Sequence, residues 1–247
     1  MSLYRRIKER GKAASDHYAG SPEYFTLTPA SRTLLRGLRP VLDRHCRGRV
    51  LDAGAGRGAY RDLLKTYAEE YVGMDIAPSA ATTAVGDAQR LPFAAASFDT
   101  VFCSQVLEHV PEPWLALSEF RRVLRPGGRL ILTAPHLSWL HNEPYDYYRY
   151  TRHGLRFLLE RAGLEAQSIE PAGGLLALLG HIPSTLWMNL TFGVPLLHPL
   201  VRGWNVLWGK GISSLDRHLD KKKLFALNYV CLAVKRTDPV AVKRNPS

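Results

Sequence analysis

The stretch Val50-Leu51-Asp52-Ala53-Gly54-Ala55-Gly56-Arg57-Gly58-Ala59-Tyr60 decides the fold. An apolar run that ends in an acid predicts a short buried strand, and a helix-forming run starts at Ala59. Glycines at alternate positions let the backbone turn sharply and let a ligand lie against the main chain, because no Cβ intervenes. The helix that follows would point free N–H groups and its positive end at that ligand. The stretch therefore predicts a nucleotide-type loop between a strand and a helix.

Two interpretations of this loop differ in the ligand. Gly54, Gly56 and Ala59 satisfy the G-x-G-x-x-G/A fingerprint of dinucleotide sites. Asp52 at the end of the strand instead favours a ligand with a cationic end, because a carboxylate suits an ammonium or sulfonium better than a pyrophosphate. S-adenosylmethionine (SAM) carries both of these cations, and we favour it.

With the sequence downstream of it, the stretch resembles motif I of the class I SAM-dependent methyltransferases, in particular the methyltransferase type 11-like members. Four further segments match that family in order along the chain: Tyr71–Ile76, Gly86–Ala88, Ser97–Val110 and Leu124–Leu132. The resemblance spans residues 48–135. It implies an α/β fold with a Rossmann-like, seven-stranded, mostly parallel sheet, helices on both faces and an antiparallel last strand.

The same resemblance implies a set of cofactor contacts for SAM. It places Asp52, Gly54 and Gly56 at the methionine portion, Asp75 at the ribose, Asp87 and Ala88 at the adenine, and Gln105 beside the methyl group. Ala55 and Ile76 complete the predicted cofactor-binding residues.

Polar and aromatic residues crowd the segments that follow the fourth and fifth predicted strands, where ligands bind in open α/β sheets. Because imidazole titrates near neutrality, we predict a catalytic base among His109, His136 and His141. The predicted substrate-binding residues are Tyr24, Trp139, Tyr145, Asp146 and Tyr148. A packing role for Tyr24 and local backbone capping by His109 are the alternatives.

The sequence predicts no metal. Glu108 and His109 are similar to the Glu-His pair that binds a divalent cation in ubiquinone-pathway O-methyltransferases, but Gln105 stands where a further carboxylate is expected. No Asn/Asp-Pro-Pro-Tyr/Phe motif follows the fourth strand, which argues against methylation of exocyclic nucleobase or glutamine amides.

We divide the chain into an N-terminal helical cap (1–47), a SAM-binding core (48–170), an apolar and basic insertion (171–223) and a last strand with a basic tail (224–247). Thr28-Pro29 predicts a helix start. Too few residues separate Ile76 from Thr82 for a crossover helix, which predicts a loop or single turn there. A helix over 111–124 should bury Trp114. A strand over 224–235 should pair antiparallel with one around 165–170.

The insertion is the most particular feature. Residues 171–201 contain no Asp, Glu, Lys or Arg, yet glycines and prolines should interrupt any spanning helix, at Gly180, Pro183, Gly193, Pro195 and Pro199. An apolar, Trp-bearing stripe follows on one helical face: Leu196, Leu197, Leu200, Val201, Trp204, Leu207 and Trp208. Beside basic residues, this stripe favours either an interfacial membrane helix or a lid over an apolar pocket.

Charge and cysteine content limit the classes of partner and the cellular compartment that are expected. The net charge is +11, with concentrations at 5–12, 221–223 and 235–244. Such a surface suits nucleic acid, anionic lipid or an acidic substrate, and charge alone does not justify nucleic acid, which we do not expect. The three cysteines lie far apart, which predicts neither disulfides nor a metal cluster. The basic N-terminus without an apolar signal segment predicts a cytoplasmic protein. If the Trp-bearing stripe is an interfacial helix, the protein would be peripheral on the inner face of an anionic membrane.

Together these observations predict a SAM-dependent methyltransferase. It would move a methyl group to an O or N atom of a small, apolar, lipid-linked or glycan-type acceptor. An RNA methyltransferase and a non-catalytic, membrane-associated SAM-binding protein are the alternatives.

Overall fold

The computed structural model of the chain describes residues 3–19, 21–219 and 224–236. The described strands are β1 (Arg49–Ala53), β2 (Glu70–Asp75), β3 (Ala84–Val85), β4 (Phe98–Ser104), β5 (Leu124–Pro135), β6 (Leu164–Ala172) and β7 (Asn228–Lys235). The described α-helices are α1 (Leu3–Tyr18), α2 (Pro29–His45), α3 (Arg61–Lys65), α4 (Pro113–Val123), α5 (Arg152–Arg161), α6 (Leu175–Thr191) and α7 (Leu197–Leu219).

The seven strands form one mixed sheet in the order β3-β2-β1-β4-β5-β7-β6. Strands β1 to β5 are parallel, and β7 runs antiparallel to both β5 and β6. This arrangement confirms the predicted fold class. The carboxyl ends of β1 to β5 meet at one edge, and β6 points the same way because both it and β5 oppose β7. The strand order reverses between β1 and β4, which opens a crevice at that edge.

Helix α2 shows how local sequence builds this core. The Thr28 hydroxyl accepts the backbone N–H of Ser31, and Pro29 opens the first turn, as predicted. Leu34, Leu38 and Leu42 then lie one above another on the buried face. They pack with Val50, Phe102 and Ile131 of the central strands, which anchors the N-terminal part of the chain against the sheet.

The predicted absence of a helix between β2 and β3 is confirmed. Residues 76–83 form a turn in which the Ser79 N–H donates to Thr82 Oγ1 at 2.7 Å. Helix α5 ends near Gly163, which has a φ of +75° and so takes the left-handed conformation that closes a helix.

Three predictions about element bounds are wrong. The last strand begins at Asn228, and residues 224–227 form a turn and a bend before it. Trp114 is exposed on α4, because it lies on the helix side opposite the buried Pro113, Ala116, Leu117 and Phe120. Helix α6 continues through Gly180 and Pro183 instead of breaking there, because tertiary packing outweighs local propensity. A Cβ on Gly180 would lie 2.8 Å from Ile212 Cγ2, so the glycine lets α6 and α7 pack closely.

Helices α6 and α7, joined by residues 192–196, form the α6–α7 hairpin (residues 175–219). The side chains that it buries are mostly small or polar: Ala177, Gly180, Ser184, Met188 and Thr191 on α6, and Asn205, Gly209, Ser213 and Asp216 on α7. Its exposed side is apolar, with Leu179, Ile182, Leu186 and Leu190 on α6 and Leu197, Leu200, Trp204 and Leu207 on α7. Among the described residues, no helix is both long and apolar enough to cross a bilayer. The basic clusters at 221–223 and 237–244 lie outside the described residues, and the four-part division of the chain stays a prediction.

Candidate active site

The loop after β1 leaves one side of its backbone open. Gly54 and Gly56 have φ angles of +90° and +52°, which favour glycine. A Cβ on Gly54 would lie 2.2 Å from Val106 Cγ2, whereas a Cβ on Gly56 would meet nothing within 4 Å. The absence of a side chain at Gly54 thus allows Val106 to pack closely against the loop. Gly56 leaves its main chain uncovered at the crevice.

The loops after β1 and β2 are tied together by polar contacts. The Gly56 N–H donates to Asp75 Oδ2 at 2.8 Å, and the Ser79 hydroxyl donates to the Gly56 carbonyl at 2.6 Å. Asp75 Oδ1 also accepts the Ala77 N–H at 3.2 Å. Ser79 was not predicted as a site residue, and only its place in the short second crossover could have indicated it.

Two exposed aliphatic side chains lie between the predicted ribose and adenine acids. Ile76 is 76% exposed and Val85 is 56% exposed, at the ends of β2 and β3. Asp87 follows β3, accepts the Gln89 N–H at 2.8 Å and is succeeded by the buried Ala88. An apolar surface of this kind, flanked by carboxylates, matches a flat base joined to a sugar with hydroxyl groups.

Asp52 lies near the end of β1, directly before the loop, and its side chain is buried. It is 2% exposed, and Oδ2 accepts the Tyr71 hydroxyl at 2.9 Å. Burial raises the pKa of Asp52 to about 7, and the Tyr71 hydrogen bond only partly opposes that rise. Gln105, predicted to lie beside the methyl group, has a φ of +56° and donates its side-chain amide to Thr133 Oγ1 at 3.2 Å.

A second group of polar side chains lies after β4 and β5. Glu108 Oε1 is 3.8 Å from Nε2 of both His109 and His141, and the two imidazole rings meet edge to face with centroids 4.8 Å apart. Glu108 is fully buried, and burial raises its pKa to about 8. Burial also lowers the pKa of His141, aided by the neighbouring His109. Two of the three histidines predicted as bases therefore share one cluster with an acid that was not predicted as a site residue.

Asp146 and Arg149 hold the loop after β5 in place. Arg149 Nη1 lies 2.7 Å from Asp146 Oδ1, and Nη2 lies 2.8 Å from Oδ2. Burial by itself would raise the pKa of Asp146, but the Arg149 hydrogen bonds and the His141 N–H outweigh it and lower the pKa to about 2. With both oxygens engaged, Asp146 has the contacts of a residue that positions His141 and its loop.

The remaining predicted residues are spread around this edge. His136 packs against Tyr229, with ring centroids 5.5 Å apart. The Tyr148 hydroxyl donates to the Pro111 carbonyl at 2.8 Å, and Tyr145 is exposed. Tyr24 packs edge to face on Phe25. Trp139 stacks on His181 of α6 at 4.7 Å, a contact that sequence spacing did not indicate. Their substrate contacts stay predictions.

Residues 51–132 match the family model described as "Methyltransferase domain". The chain carries a class I SAM-dependent methyltransferase domain. S-adenosylmethionine is the cofactor of this domain.

Two curated relatives support this assignment. The chain is 37% identical over 111 residues to the biotin biosynthesis bifunctional protein BioHC of Cellvibrio japonicus, covering 40% of this chain and 22% of that protein. It is 33% identical over 138 residues to a demethylmenaquinone methyltransferase of Mycobacterium sp. (strain KMS), covering 47% and 56% of the two chains. The chain thus spans about half or less of the length of these relatives.

A solved structure shows the same fold. The Haemonchus contortus phosphoethanolamine N-methyltransferase 2, in complex with phosphomonomethylethanolamine and S-adenosylhomocysteine, has a TM-score of 0.55 and 16% identity. The match covers 96% of this chain and 61% of that one. At this identity the likeness shows the fold alone.

The structure of the methyltransferase domain itself has features that suit SAM. The open main chain at Gly56, the carboxylate of Asp75 beside it and the exposed Ile76 lie in sequence along the crevice. These groups would hold the amino-acid portion, the ribose and the base of SAM in the order that the family resemblance implies.

Proposed function

We propose that this protein transfers the methyl group of SAM to an O or N atom of a small, apolar, lipid-linked or glycan-type acceptor. The observation that carries the proposal is the α6–α7 hairpin, which buries small and polar residues and exposes leucines. Leu200 is 72% exposed and Leu207 is 65% exposed, whereas Asn205 between them is fully buried. Exposed apolar patches are characteristic of surfaces that meet lipid, an apolar ligand or another protein.

The hairpin starts at the same edge of the sheet as the candidate active site. Helix α6 follows the carboxyl end of β6, and its His181 stacks on Trp139 of the loop after β5. An acceptor held on the exposed side of the hairpin would therefore have a short path to the methyl group. This adjacency favours an apolar acceptor over a water-soluble one.

The hairpin's charged residues suit an anionic membrane surface. Lys210 and Arg217 are exposed on α7 next to the apolar side, and Arg202 pairs with Glu23. A helix of this kind lies in the interface with its apolar side in the acyl region and its basic groups near headgroups. We place the protein in the cytoplasm, peripheral on the inner membrane face, with the hairpin as its docking surface.

The chain's own residues would act mainly by positioning. SAM supplies a methyl group already activated by its positive sulfur, so transfer needs alignment of the acceptor atom and exclusion of water. Asp52, the glycine loop, Asp75 and the Asp87-Ala88 pair would hold the donor, and Gln105 would border the methyl group. His109, His136 or His141 would take the proton of a hydroxyl or amine acceptor, with Trp139 and Tyr148 lining its path.

The proposal is tested with methyl-labelled SAM, purified protein and fractionated extract of the cells that produce it. Label in the organic phase supports a lipid-linked acceptor. That label should fall strongly in a Leu200→Glu/Leu207→Glu variant and remain in a Phe157→Glu control, which changes an apolar residue on α5 that is 61% exposed. Label in RNA would support the RNA methyltransferase alternative and overturn the proposal. Measurable SAM binding with no label in any fraction would support the non-catalytic alternative.

A further inference from the structure

The side chains of Glu108, His109 and His141 converge outside the predicted cofactor contacts. One ligand atom from each, a carboxylate oxygen or an imidazole nitrogen, lies within 4.8 Å of the other two. We propose that these three residues bind a divalent first-row transition metal ion, of which Zn²⁺ is the best match. This inference replaces the expectation of a metal-free protein, because His141 supplies the ligand that Gln105 does not.

Glu108 is the group that points to a bound cation. Its side chain is fully buried, and neither carboxylate oxygen has a hydrogen-bond partner on any other described residue. A buried polar group without a partner costs free energy, and such groups are rare in native structures. A cation between Oε1 and the two imidazoles would supply the missing partner.

His109 is oriented as a metal ligand. Its Nδ1 lies 2.6 Å from the carbonyl oxygen of Tyr145, so Nδ1 carries the hydrogen and donates it. The lone pair is then on Nε2, which faces Glu108. The Asn142 amide nitrogen is 3.5 Å from Nε2, at the limit of a hydrogen bond, and would turn aside for the ion.

His141 has the same tautomer for a different reason. Its Nδ1 lies 3.3 Å from the Trp139 carbonyl and 3.6 Å from Asp146 Oδ2, both acceptors. Arg149 Nη2 is also 3.3 Å away, but its two hydrogens already go to the Trp139 carbonyl at 2.6 Å and to Asp146 Oδ2 at 2.8 Å. Nδ1 is therefore the donor, and Nε2 faces Glu108. A carboxylate behind a histidine is the usual support of a metal-binding imidazole.

The donor set and spacing fit Zn²⁺ better than Mg²⁺. Two imidazoles and one carboxylate form the set with which Zn²⁺ keeps a fourth position open, whereas Mg²⁺ prefers oxygen ligands. Tetrahedral bonds of roughly 2.0–2.1 Å separate ligand atoms by about 3.3 Å. The two 3.8 Å separations from Glu108 would thus close by about half an ångström on binding, and the two imidazole nitrogens, which lie within 4.8 Å of each other, would also have to approach by side-chain rotation.

Both histidines are partly exposed, so an ion held by them and Glu108 would have room for a further ligand on the solvent side. An acceptor oxygen bound there would lose its proton more readily, and the two histidines would be ligands instead of bases. This role in the reaction rests on the proposed function, whereas the binding of the ion does not.

The proposal is tested by titrating chelator-treated, full-length protein with ZnCl₂ in a calorimeter, with CoCl₂ as a spectroscopic probe. We expect one Zn²⁺ per chain and visible Co²⁺ absorption. Loss of an outer-shell partner alone weakens metal binding roughly 10–100-fold, so Asp146→Asn should fall in that range and Glu108→Gln and His141→Asn should each lose at least about 100-fold. His153→Asn, at an exposed histidine of α5, should bind Zn²⁺ as the wild type does.

A folding check separates lost ligands from lost structure. In chelator, Glu108→Gln should unfold at the wild-type temperature or above it, because it removes an unpaired buried carboxylate, while the rise caused by Zn²⁺ should disappear. Absence of stoichiometric Zn²⁺ binding, binding that survives Glu108→Gln, or equal affinity for Mg²⁺ would overturn the proposal. These titrations need neither SAM nor acceptor, so their failure leaves the proposed methyl transfer untouched.

Discussion

Replacement of Asp52 by Asn should make the SAM-free protein more stable, and the gain should depend on pH. Burial raises the pKa of this carboxyl from 3.8 to about 7. Between these two values the folded chain holds a proton that the unfolded chain has released. The stabilisation from Asp52 is therefore complete below pH 3.8 and is lost as the pH rises to about 7.

The size of the effect follows from the shift. Three pKa units correspond to about 4 kcal/mol, which is an upper limit for the cost of ionising Asp52 in the folded protein. Asparagine has the same shape, and its carbonyl can still accept the Tyr71 hydroxyl. The advantage of Asp52→Asn should thus be close to zero near pH 4 and should approach a few kcal/mol above pH 7.

Urea unfolding from pH 4 to pH 8, followed by tryptophan fluorescence, measures this difference. Asp62→Asn, the same chemical change at an exposed residue of α3, is the matched control and should give no such trend. A difference between Asp52→Asn and wild type that does not vary with pH would refute the reasoning, as would a less stable variant at pH 8. In a separate calorimetric titration, SAM should bind Asp52→Asn about tenfold or more weakly if the carboxylate holds the ammonium group.

Two further predictions concern the loop and the hairpin. Gly54→Ala should weaken SAM binding and cost about 1–3 kcal/mol, because the φ of +90° is strained for alanine and the Cβ would lie 2.2 Å from Val106. Gly56→Ala, with open space around its Cβ, should cost less in both calorimetry and urea unfolding. Asp216→Ala should destabilise the protein by about 2–4 kcal/mol, because the buried carboxylate accepts the N–H groups of Gly174, Leu176 and Ala177 at the start of α6. Ser213→Ala, whose buried hydroxyl has no hydrogen-bond partner among the described residues, should leave the urea midpoint nearly unchanged.

The sheet and the cofactor loops could be predicted because their signals are local. The run that ends at Asp52 and the glycines after it specify a strand, a turn and a ligand in eleven residues. The short span from Ile76 to Thr82 excludes a helix by length alone. Bounds that depend on packing could not be predicted this way: Pro183 remains within α6, and Trp114 lies outside the core.

The Glu108 cluster illustrates a second limit. Glu108 and His109 are neighbours in sequence, but His141 reaches them from a different loop through the orienting contacts of Asp146 and Arg149. Spacing along the sequence cannot predict a contact between residues that follow two different strands. Only the sheet order, which places β4 beside β5, indicates that the two loops meet.

The α6–α7 hairpin shows that an apolar stripe at helical spacing does not always mark the buried side of a helix. The stripe of Leu197, Leu200, Trp204 and Leu207 has helical spacing, and by default such a stripe is assigned to the core. The side chains between its members decide otherwise. Asn205 donates to the Leu27 carbonyl at 2.7 Å, and a Cβ on Gly209 would lie 3.6 Å from the backbone of Thr28 and Pro29, so this side of α7 lies against the protein. A helix that carries small and polar residues at packing positions cannot also bury its leucines there. Small and polar residues on one side of α7 occur together with leucines on the other side. This combination, and not the apolar stripe alone, predicts a helix whose leucines face outward to lipid or to an apolar acceptor.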